Sequence, residues 1–396
     1  MMAGSVRVVV VGGGYAGVMA ANRLAGSRSR SASPVEVTLV DPGAAFTQRI
    51  RLHALAAGAR DSAAVDWADV LHPRVRHLRA RAVRIDPAQR LVALEQQDPL
   101  HFDWLVYAVG SGERSTALLS ITNPDAAEAT RRAVADLPTG SALTVAGAGP
   151  TGVELACALA VARPDLGITI VAPSGPAHPL TARPTIAGRL RRLGIAVEAG
   201  AVNPVTGSIT GHEGTGHEGT GLGDIGHEAV RPAARTTVWT AGFAVPALAA
   251  DSGLPVGADG RLTVDATLTV PGHERVVGAG DAVAVQGPAG AHLRASCATA
   301  LPLGAHAADT VLARLAGTTP AAIDIGYLLQ CLDLGSGQGH VQVVHPDDTA
   351  RRWALTGRAG GWAKERVCRM TVAWLAGEAR TPGSFTWPSG PAVSVH

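Results

Sequence analysis

Residues 6–25 are VRVVVVGGGYAGVMAANRLA, an apolar strand that runs into a G-x-G-x-x-G loop and then into an alanine-rich helix. In such a loop Gly12 permits the tight turn, Gly14 lets the backbone approach a pyrophosphate, and Gly17 lets the helix pack closely on the strand. The start of the helix offers unpaired N–H groups and a partial positive charge to the diphosphate. This stretch therefore predicts a dinucleotide-binding βαβ unit.

The next strand, VTLVD, ends at Asp41, where an acidic side chain can accept hydrogen bonds from an adenosine ribose. The separation from the loop exceeds the usual ~20 residues, and we attribute the excess to an enlarged polar turn over 27–34, SRSRSASP. A lone G-x-G-x-x-G motif can be a structural turn that arises by chance. Strand, loop, helix, strand and acid together are far more specific.

A second loop of the same form lies in ALTVAGAGPTGVELACALA, with Gly147, Gly149 and Gly152 at the three glycine positions. The strand that follows ends in Ala-Pro-Ser at 172–174, without a carboxylate to meet a ribose. This unit predicts a second dinucleotide site whose adenosine end lacks the acid of the first.

A later strand, RVVGAGDAVAV, leads to Gly280 and Asp281. The carboxyl ends of strands in a doubly wound sheet are where such folds bind ligands. On its own a Gly-Asp pair indicates a turn, but after two dinucleotide loops we expect Asp281 to contact the ribityl chain of a flavin.

Composition limits the class of protein. A chain of 396 residues can hold two or three domains. The net charge of +2 comes without a basic run, so we expect no nucleic-acid partner. Lys364 is the only lysine, which argues against most lysine-base or Schiff-base chemistry. No apolar stretch reaches the ~20 residues of a membrane-spanning helix, and we expect neither a span nor a signal sequence.

The four cysteines are far apart in sequence and form no C-x-x-C or C-x4-C pair: Cys157, Cys297, Cys331 and Cys368. A dithiol that carries electrons from flavin to a disulfide substrate needs paired thiols, so disulfide reductase chemistry is not expected. The pattern fits a reducing, cytoplasmic setting.

The order of elements predicts an α/β protein of two doubly wound, Rossmann-like dinucleotide-binding domains, the second inserted in the first. The first domain spans 1–112 and 251–322, and the second spans 113–250. Residues 323–396 are predicted to form a small C-terminal α+β interface region, because YLLQCLDL and HVQVVH alternate as antiparallel strands do.

Within the second domain, residues 211–228 repeat G-H-E-G-T without an apolar period, and the stretch 207–228 is predicted to be a flexible loop. Three histidines in it could in principle bind a metal: His212, His217 and His227. A glycine-rich loop without fixed geometry makes a poor site, and we predict no metal.

Taken together, VVVVGGGYAG, VTLVD, LVYAVGS, VAGAGPTGVELA, VWTAGF and GAGDAV resemble the FAD-dependent pyridine nucleotide oxidoreductases. The resemblance is strongest to type II NADH dehydrogenases and apoptosis-inducing-factor-like reductases and covers the chain to about residue 320. It implies FAD on the first loop, NAD(P)H on the second, and hydride transfer from nicotinamide C4 to flavin N5. The residues predicted to bind these cofactors are Gly12, Gly14, Tyr15, Ala16, Gly17, Asp41, Pro42, Arg49, Val83, Ala108, Gly110, Gly147, Gly149, Pro150, Thr151, Gly152, Glu154, Ser174, Gly242, Gly280 and Asp281.

Three residues are candidates for a catalytic role, although the flavin is the redox centre. The resemblance implies that Glu154 lies beside the nicotinamide; the alternative is a carboxylate favoured by the dipole at a helix start. His53, in FTQRIRLHALAAG, is a candidate proton relay, against an ordinary core or surface role. Cys297 begins a helix predicted from about Ser296 to Ala316, whose positive end would face the flavin, and we expect that dipole to lower the thiol pKa.

The chain departs from this family in three places. The glutamine-containing stretch at the quinone edge is replaced by SCATALPLGAH, which puts quinone reduction in doubt. The membrane-binding C-terminal helices are reduced to WAKERVCRMTVAWLAG, where an apolar stripe fits either a membrane surface or packing on the body or a partner chain: Ala363, Val367, Met370 and Trp374. The third departure is the missing acid after Val171.

These observations predict a cytoplasmic FAD enzyme, soluble or peripheral at the inner face of the membrane, that takes hydride from NAD(P)H. The acceptor is a small molecule, a quinone, oxygen or a protein, and a homodimer is an open alternative. NADPH is favoured slightly, because no acid opposes a 2′-phosphate and Arg183, Arg189 or Arg192 could bind it. The alternatives are a flavin oxidase or dehydrogenase acting directly on an organic substrate, and a slow redox-sensing flavoprotein.

Overall fold

The computed structural model describes residues 5–27, 34–112, 118–210, 236–242 and 244–392. The histidine-containing repeat, over 211–228, lies outside the described residues. Residues 207–210 of the predicted flexible loop are described, and Ile209–Thr210 form a short strand. Within the described residues no cluster of His, Cys, Asp and Glu could hold a metal ion.

The strands, in chain order, are β1 Val6–Val11, β2 Val35–Asp41, β3 Phe46–Thr47, β4 Ala64–Val65, β5 Val75–Arg79, β6 Ala82–Asp86, β7 Leu91–Leu94, β8 Gln97–His101, β9 Trp104–Tyr107, β10 Leu119–Ser120, β11 Ala142–Ala146, β12 Gly167–Ala172, β13 Ala196–Ala199, β14 Ala201–Val202, β15 Ile209–Thr210, β16 Thr236–Trp239, β17 Leu262–Val264, β18 Thr269–Val270, β19 His273–Gly278, β20 Val283–Val285, β21 Leu329–Asp333, β22 Gly339–Val344 and β23 Ala350–Thr356. The α-helices are α1 Tyr15–Gly26, α2 Leu52–Ala56, α3 Trp67–Val70, α4 Pro124–Ala135, α5 Pro150–Ala162, α6 Pro184–Arg192, α7 Leu248–Asp251, α8 Cys297–Leu315 and α9 Gly357–Arg380. Two 3₁₀ turns, Arg49–Arg51 and Gly175–Ala177, complete the set.

The largest sheet has six strands in the order β18-β19-β9-β1-β2-β5. Strand β1 is central and pairs in parallel with β2 and β9. Its valines over 8–11 are buried, as expected of a strand covered on both faces. The chain leaves this sheet after β9 and returns at β18 and β19, so another unit is inserted between them.

The inserted unit is a second sheet in the order β10-β16-β11-β12-β13, and its pairs are parallel. Helices α1 and α5 occupy the same place in the two sheets, directly after β1 and β11. The predicted fold class, two Rossmann-like units with one inserted in the other, is confirmed.

The C-terminal region forms the antiparallel sheet β21-β22-β23 followed by α9. Helix α9 packs against α1, where Asn22 Nδ2 donates to Leu375 O at 3.0 Å and Arg23 pairs with the buried Glu378 at 2.7 Å. Its buried face includes Cys368, Thr371, Leu375 and Glu378, and Trp374 packs on the core beside it. The apolar stripe was predicted either to contact a membrane surface or to pack on protein, and the structure shows that its Trp374 packs on the core of this chain.

Within the described residues, no helix combines the length and the apolar character needed to cross a membrane.

Candidate functional site

The first glycine loop has the geometry that a diphosphate needs. Gly12 adopts φ +107°, and a Cβ there would overlap the carbonyl of Ala108. A Cβ on Gly17 would overlap the carbonyl of Gly12, whereas a Cβ on Gly14 would meet nothing within 4 Å. The first and third glycines therefore serve the fold, and the second faces open space at the start of α1.

Asp41, at the end of β2, is bound to the backbone of its own site. Its Oδ2 accepts from the N–H of Gly13 at 2.7 Å, and its Oδ1 accepts from the N–H of Gly43 at 2.7 Å. A carboxylate has about four acceptor positions, so these two bonds orient the side chain and leave capacity for ribose hydroxyls.

Asp281 is a buried carboxylate with an unused acceptor. Its Oδ1 is buried without a hydrogen-bond partner. Burial raises the pKa of Asp281, although the Arg49 charge and a backbone hydrogen bond from Ser296 oppose that rise. Arg49 also donates to the carbonyl of Ser111 at 3.1 Å. An unpaired buried acceptor and the open space at Gly14 both fit a bound dinucleotide such as FAD.

The other residues predicted for the first site lie in α1, in β6 and directly after β2, β9 and β19. Tyr15 and Ala16 are buried in the first turn of α1. Gly280 adopts φ +83°, and a Cβ on it would lie 3.1 Å from the Cβ of Ala16. Ala108 is buried after β9, and Gly110 adopts φ +66°. Pro42 follows Asp41, and Val83 lies at a register shift in β6 with 46% of its surface exposed.

The second loop repeats the geometry of the first. Gly147 adopts φ +120°, a Cβ on Gly152 would overlap the carbonyl of Gly147, and a Cβ on Gly149 would meet nothing within 4 Å. Pro150 and Thr151 open α5. The remaining predicted residues, Ser174 after β12 and Gly242 after β16, are an exposed serine and a glycine at φ +71°.

Four ionisable side chains meet beside the start of α5, and we call them the junction cluster: His53, Glu154, Asp333 and Lys364. Lys364 Nζ donates to Glu154 Oε1 at 2.7 Å. His53 lies between two carboxylates, with Nδ1 3.7 Å from Glu154 and Nε2 3.7 Å from Asp333. The cluster therefore joins α2, α5, β21 and α9, which belong to three different parts of the chain.

Electrostatics favour the charged forms of Lys364 and Asp333 in the junction cluster. Burial alone would lower the pKa of Lys364, but the adjacent Glu154 carboxylate outweighs it and raises that pKa above its ordinary value. Burial opposes ionisation of Asp333 as well, yet the His53 imidazole 3.7 Å away and a hydrogen bond from the Gly335 N–H bring its pKa below the usual range. Glu154 also accepts from the backbone N–H of Asp333 at 2.9 Å.

Cys297 is the first residue of α8, as predicted, but the prediction of a lowered thiol pKa is wrong. Burial raises the pKa of Cys297 to about 11, and the Lys364 charge only partly offsets that rise. The desolvation penalty outweighs the dipole of a helix start. All four cysteines are free, so the structure contains no redox-active disulfide.

Sequence reasoning missed Asp333 and misjudged Lys364. In the sequence the lone lysine argues only against lysine chemistry, whereas in the structure it is a buried partner of Glu154. The only signal in the sequence is that Lys364 is the sole lysine among 34 lysine and arginine residues, and a lysine offers a compact ammonium where arginine offers a planar guanidinium.

Two of the three arginines expected to reach a 2′-phosphate have other partners. Arg183 donates to Gln330 Oε1 at 3.0 Å, and Arg189 donates to the carbonyls of Leu334 and Gly335 at 2.9 and 3.1 Å. Both therefore tie α6 to the C-terminal sheet, which leaves Arg192 as the remaining candidate.

Residues 6–307 match the model of the pyridine nucleotide-disulphide oxidoreductase family. The chain belongs to this family. It is 31% identical over 367 residues to an NADH dehydrogenase-like protein of Mycobacterium tuberculosis, covering 83% of this chain and 86% of that protein. It is also 25% identical over 356 residues to ferroptosis suppressor protein 1 of Xenopus tropicalis, covering 85% and 88%.

Solved structures show the same fold. Sulfide:quinone oxidoreductase of Aquifex aeolicus superposes with a TM-score of 0.73 at 18% identity, over 94% of this chain and 92% of that one. NDH2 of Plasmodium falciparum, in complex with NADH, gives a TM-score of 0.70 at 12% identity, over 96% and 99%. The predicted family is confirmed, and with it an oxidoreductase that uses FAD and a pyridine nucleotide.

Proposed function

We propose that this protein transfers hydride from NAD(P)H at the second glycine loop to FAD at the first, and then passes the electrons to a separate acceptor. The observation that carries the proposal is the junction cluster. Lys364 binds Glu154 in the second turn of α5, and its charge partly offsets the raised thiol pKa of Cys297 at the start of α8. The two helices that would face the two cofactors are therefore both under the influence of one cation.

Bound FAD would supply the two-electron redox chemistry, and the chain supplies placement and charge. Gly14 and Gly149 leave the helix-start amides accessible to the two diphosphates. The buried Oδ1 of Asp281 is an acceptor for a hydroxyl of the first dinucleotide. The start of α8, where Ser296 makes no side-chain capping bond, directs N–H groups to the site where negative charge would develop.

In this proposal Glu154 positions the nicotinamide, and Lys364 holds that carboxylate in place through their 2.7 Å contact. His53, held between Glu154 and Asp333, is the group through which a proton can reach the site without passing through bulk water. Both are buried, with 5% of the side chain of His53 and 10% of that of Glu154 exposed.

For the acceptor we propose a small quinone-like molecule. One structural neighbour supports this, because it is named a sulfide:quinone oxidoreductase. The replaced quinone-edge stretch, now α8 with Pro302 inside it, gives no support of its own. We further propose cytoplasmic placement with at most peripheral membrane contact, and NADPH used at least as well as NADH because β12 ends without a carboxylate.

Stopped-flow reduction of the purified holoprotein under anaerobic conditions tests the proposal. Rapid bleaching of the flavin absorbance by NADH or NADPH, followed by reoxidation on adding a soluble quinone, is expected. A flavin that neither cofactor bleaches would overturn it and favour the direct oxidation of an organic substrate. If NAD(P)H reduces the flavin rapidly but only oxygen, and no quinone, reoxidises it, the proposal of a quinone-like acceptor is wrong and the proposal of hydride transfer stands.

A further inference from the structure

Trp67 lies beside the first glycine loop but outside the dinucleotide motif. It begins the single-turn helix α3, whose N-cap Asp66 accepts from the backbone N–H of Ala68 at 2.9 Å. Only 9% of its surface is exposed. The indole packs against the rings of Phe46 and His77, whose centroids lie 6.3 and 4.5 Å away. Contacts on several sides therefore hold the ring in one orientation.

The indole N–H is tied to the turn that carries Asp41. Trp67 Nε1 donates to the carbonyl of Gly43 at 3.2 Å. The N–H of the same Gly43 donates to Asp41 Oδ1 at 2.7 Å, and Asp41 Oδ2 accepts from the N–H of Gly13 at 2.7 Å. A continuous chain of hydrogen bonds therefore runs from the indole through Gly43 and Asp41 to the first glycine loop.

The indole ring also occupies the space next to that loop. A Cβ on Gly13 would lie 2.7 Å from Cη2 of Trp67 and 2.8 Å from Cγ of Asp41. The ring and the carboxylate therefore flank the same glycine. A close-packed aromatic ring resists displacement, so it limits how far the turn over 41–43 can move.

We propose that Trp67 is a positioning residue for bound FAD, which acts through Asp41 on the adenosine ribose. This inference rests on the proposed place of FAD at the first loop. Asp41 ends β2, at the edge where such folds bind a ribose, and its carboxylate has acceptor positions beyond the two that the backbone occupies. The indole fixes Gly43, and with it the carboxylate, before the nucleotide arrives. Binding then needs less ordering of the chain, which raises affinity.

The effect should be confined to the adenosine half of the cofactor. Asp281, the acceptor expected for the ribityl chain, follows β19, whereas the contacts of Trp67 described above lie at the Asp41 end. FMN carries the isoalloxazine, the ribityl chain and one phosphate, but no adenosine. A role through Asp41 therefore weakens FAD binding and spares FMN, whereas a residue that only fills the core would affect both flavins alike.

A double-mutant cycle tests the proposal, with the FAD Kd taken from the release of fluorescent FAD on serial dilution of the purified holoproteins. Trp67→Phe keeps an aromatic ring and removes the N–H, and should raise the FAD Kd about fivefold, the equivalent of one neutral hydrogen bond. Asp41→Ala removes a charged acceptor and should raise the Kd further. In the Asp41→Ala background, Trp67→Phe should change the Kd less than about twofold. An equal loss in both backgrounds would overturn the proposal.

Trp104→Phe is the matched control for packing. Trp104 is also a buried tryptophan of the first unit, with 6% of its surface exposed, but its Nε1 has no hydrogen-bond partner among the described residues. Each holoprotein is equilibrated with FAD and an excess of FMN, and the bound flavins are quantified. Trp67→Phe should shift the ratio of bound FAD to bound FMN about fivefold toward FMN, and Trp104→Phe should leave it unchanged. An unchanged ratio in Trp67→Phe, or an equal shift in Trp104→Phe, would show that Trp67 only fills the core.

The Asp41→Ala variant separates this inference from the proposed function. If that substitution alone leaves the FAD Kd unchanged, FAD does not bind the first loop in the proposed way, and both proposals are wrong. If Asp41→Ala weakens FAD binding and Trp67→Phe does not, the place of FAD stands and the role of Trp67 is wrong.

Discussion

The two glycine loops share the same local geometry and differ in what surrounds them. In both, the first glycine has a positive φ, the third packs against the carbonyl of the first, and the second faces open space. The first loop is bordered by two carboxylates, Asp41 and Asp281, whereas the second has no acid at the end of β12.

This difference separates the role of the loop glycines from that of the side chains around them. The glycines decide that a dinucleotide can approach, because only they remove the Cβ from the loop. The flanking side chains decide which dinucleotide is held and how tightly. A site with two acids to bind hydroxyls suits a resident cofactor, and a site with few polar anchors suits a substrate that must leave.

The largest expected effect separates the loops directly. Gly14 has φ −76° and ψ −172°, values open to any residue, and a Cβ there meets no protein atom. Gly14→Val should therefore fold normally and yet lose FAD, because the side chain occupies the space for the diphosphate. The ratio of flavin to protein absorbance after purification measures it.

Gly149→Val is the matched control, because Gly149 has φ −70° and ψ 178° and equally open surroundings. That variant should stay yellow and lose reduction by NAD(P)H. If Gly14→Val is as yellow as the wild type, the first loop is not the FAD site.

The next effect concerns the contact that joins the second loop to the rest of the molecule. Lys364→Met leaves the Glu154 carboxylate buried without its cation, which should cost about 3–5 kcal/mol of stability. Glu154→Gln/Lys364→Met removes both charges and should recover most of that loss. Urea unfolding of the three proteins measures the free-energy differences.

The sign of the pH dependence follows from the raised pKa of Lys364. The stabilisation from a raised lysine pKa is complete below the unfolded value of about 10.4 and disappears only as pH rises through the folded value. The deficit of Lys364→Met should therefore be the same at every pH from about 6 to 9. A double variant less stable than Lys364→Met would contradict the buried pair.

The fold was predictable from sequence to the extent that local pattern determines it. Valine runs, glycine spacing and the Gly-Asp strand predicted both sheets and the insertion. The junction cluster was not predictable, because Lys364 is more than 200 residues from Glu154 in the chain, and no periodicity reports a contact made by tertiary packing. The Cys297 error has a similar cause: a helix start is visible in sequence, whereas burial of the thiol is not.

A smaller effect tests the missing acid of the second site. The wild-type enzyme should use NADPH at least as well as NADH, judged by kcat/KM. Ser174→Asp restores a carboxylate after β12 and should shift the ratio toward NADH by about tenfold, or about 1.4 kcal/mol in the transition state. Ser174→Ala, which adds no charge, should change the ratio little. A wild-type preference for NADH of tenfold or more would contradict the expectation that NADPH is used at least as well.

The smallest expected effect is at Cys297, which lies at the start of α8 and under the influence of Lys364. Because burial raises its thiol pKa to about 11, the thiol is neutral at physiological pH and is a poor nucleophile. In the Cys297→Ser variant, NAD(P)H should therefore reduce the flavin at a rate within a few-fold of that of the wild type. Any change in electron transfer to the acceptor should come from the altered shape of the site and not from the loss of a thiolate. The pH profiles of the two proteins should coincide between about pH 6 and 9, since no thiolate forms in that window. If the wild-type profile has a limb near neutral pH that Cys297→Ser abolishes, the thiol ionises during turnover, and the helix dipole outweighs burial after all.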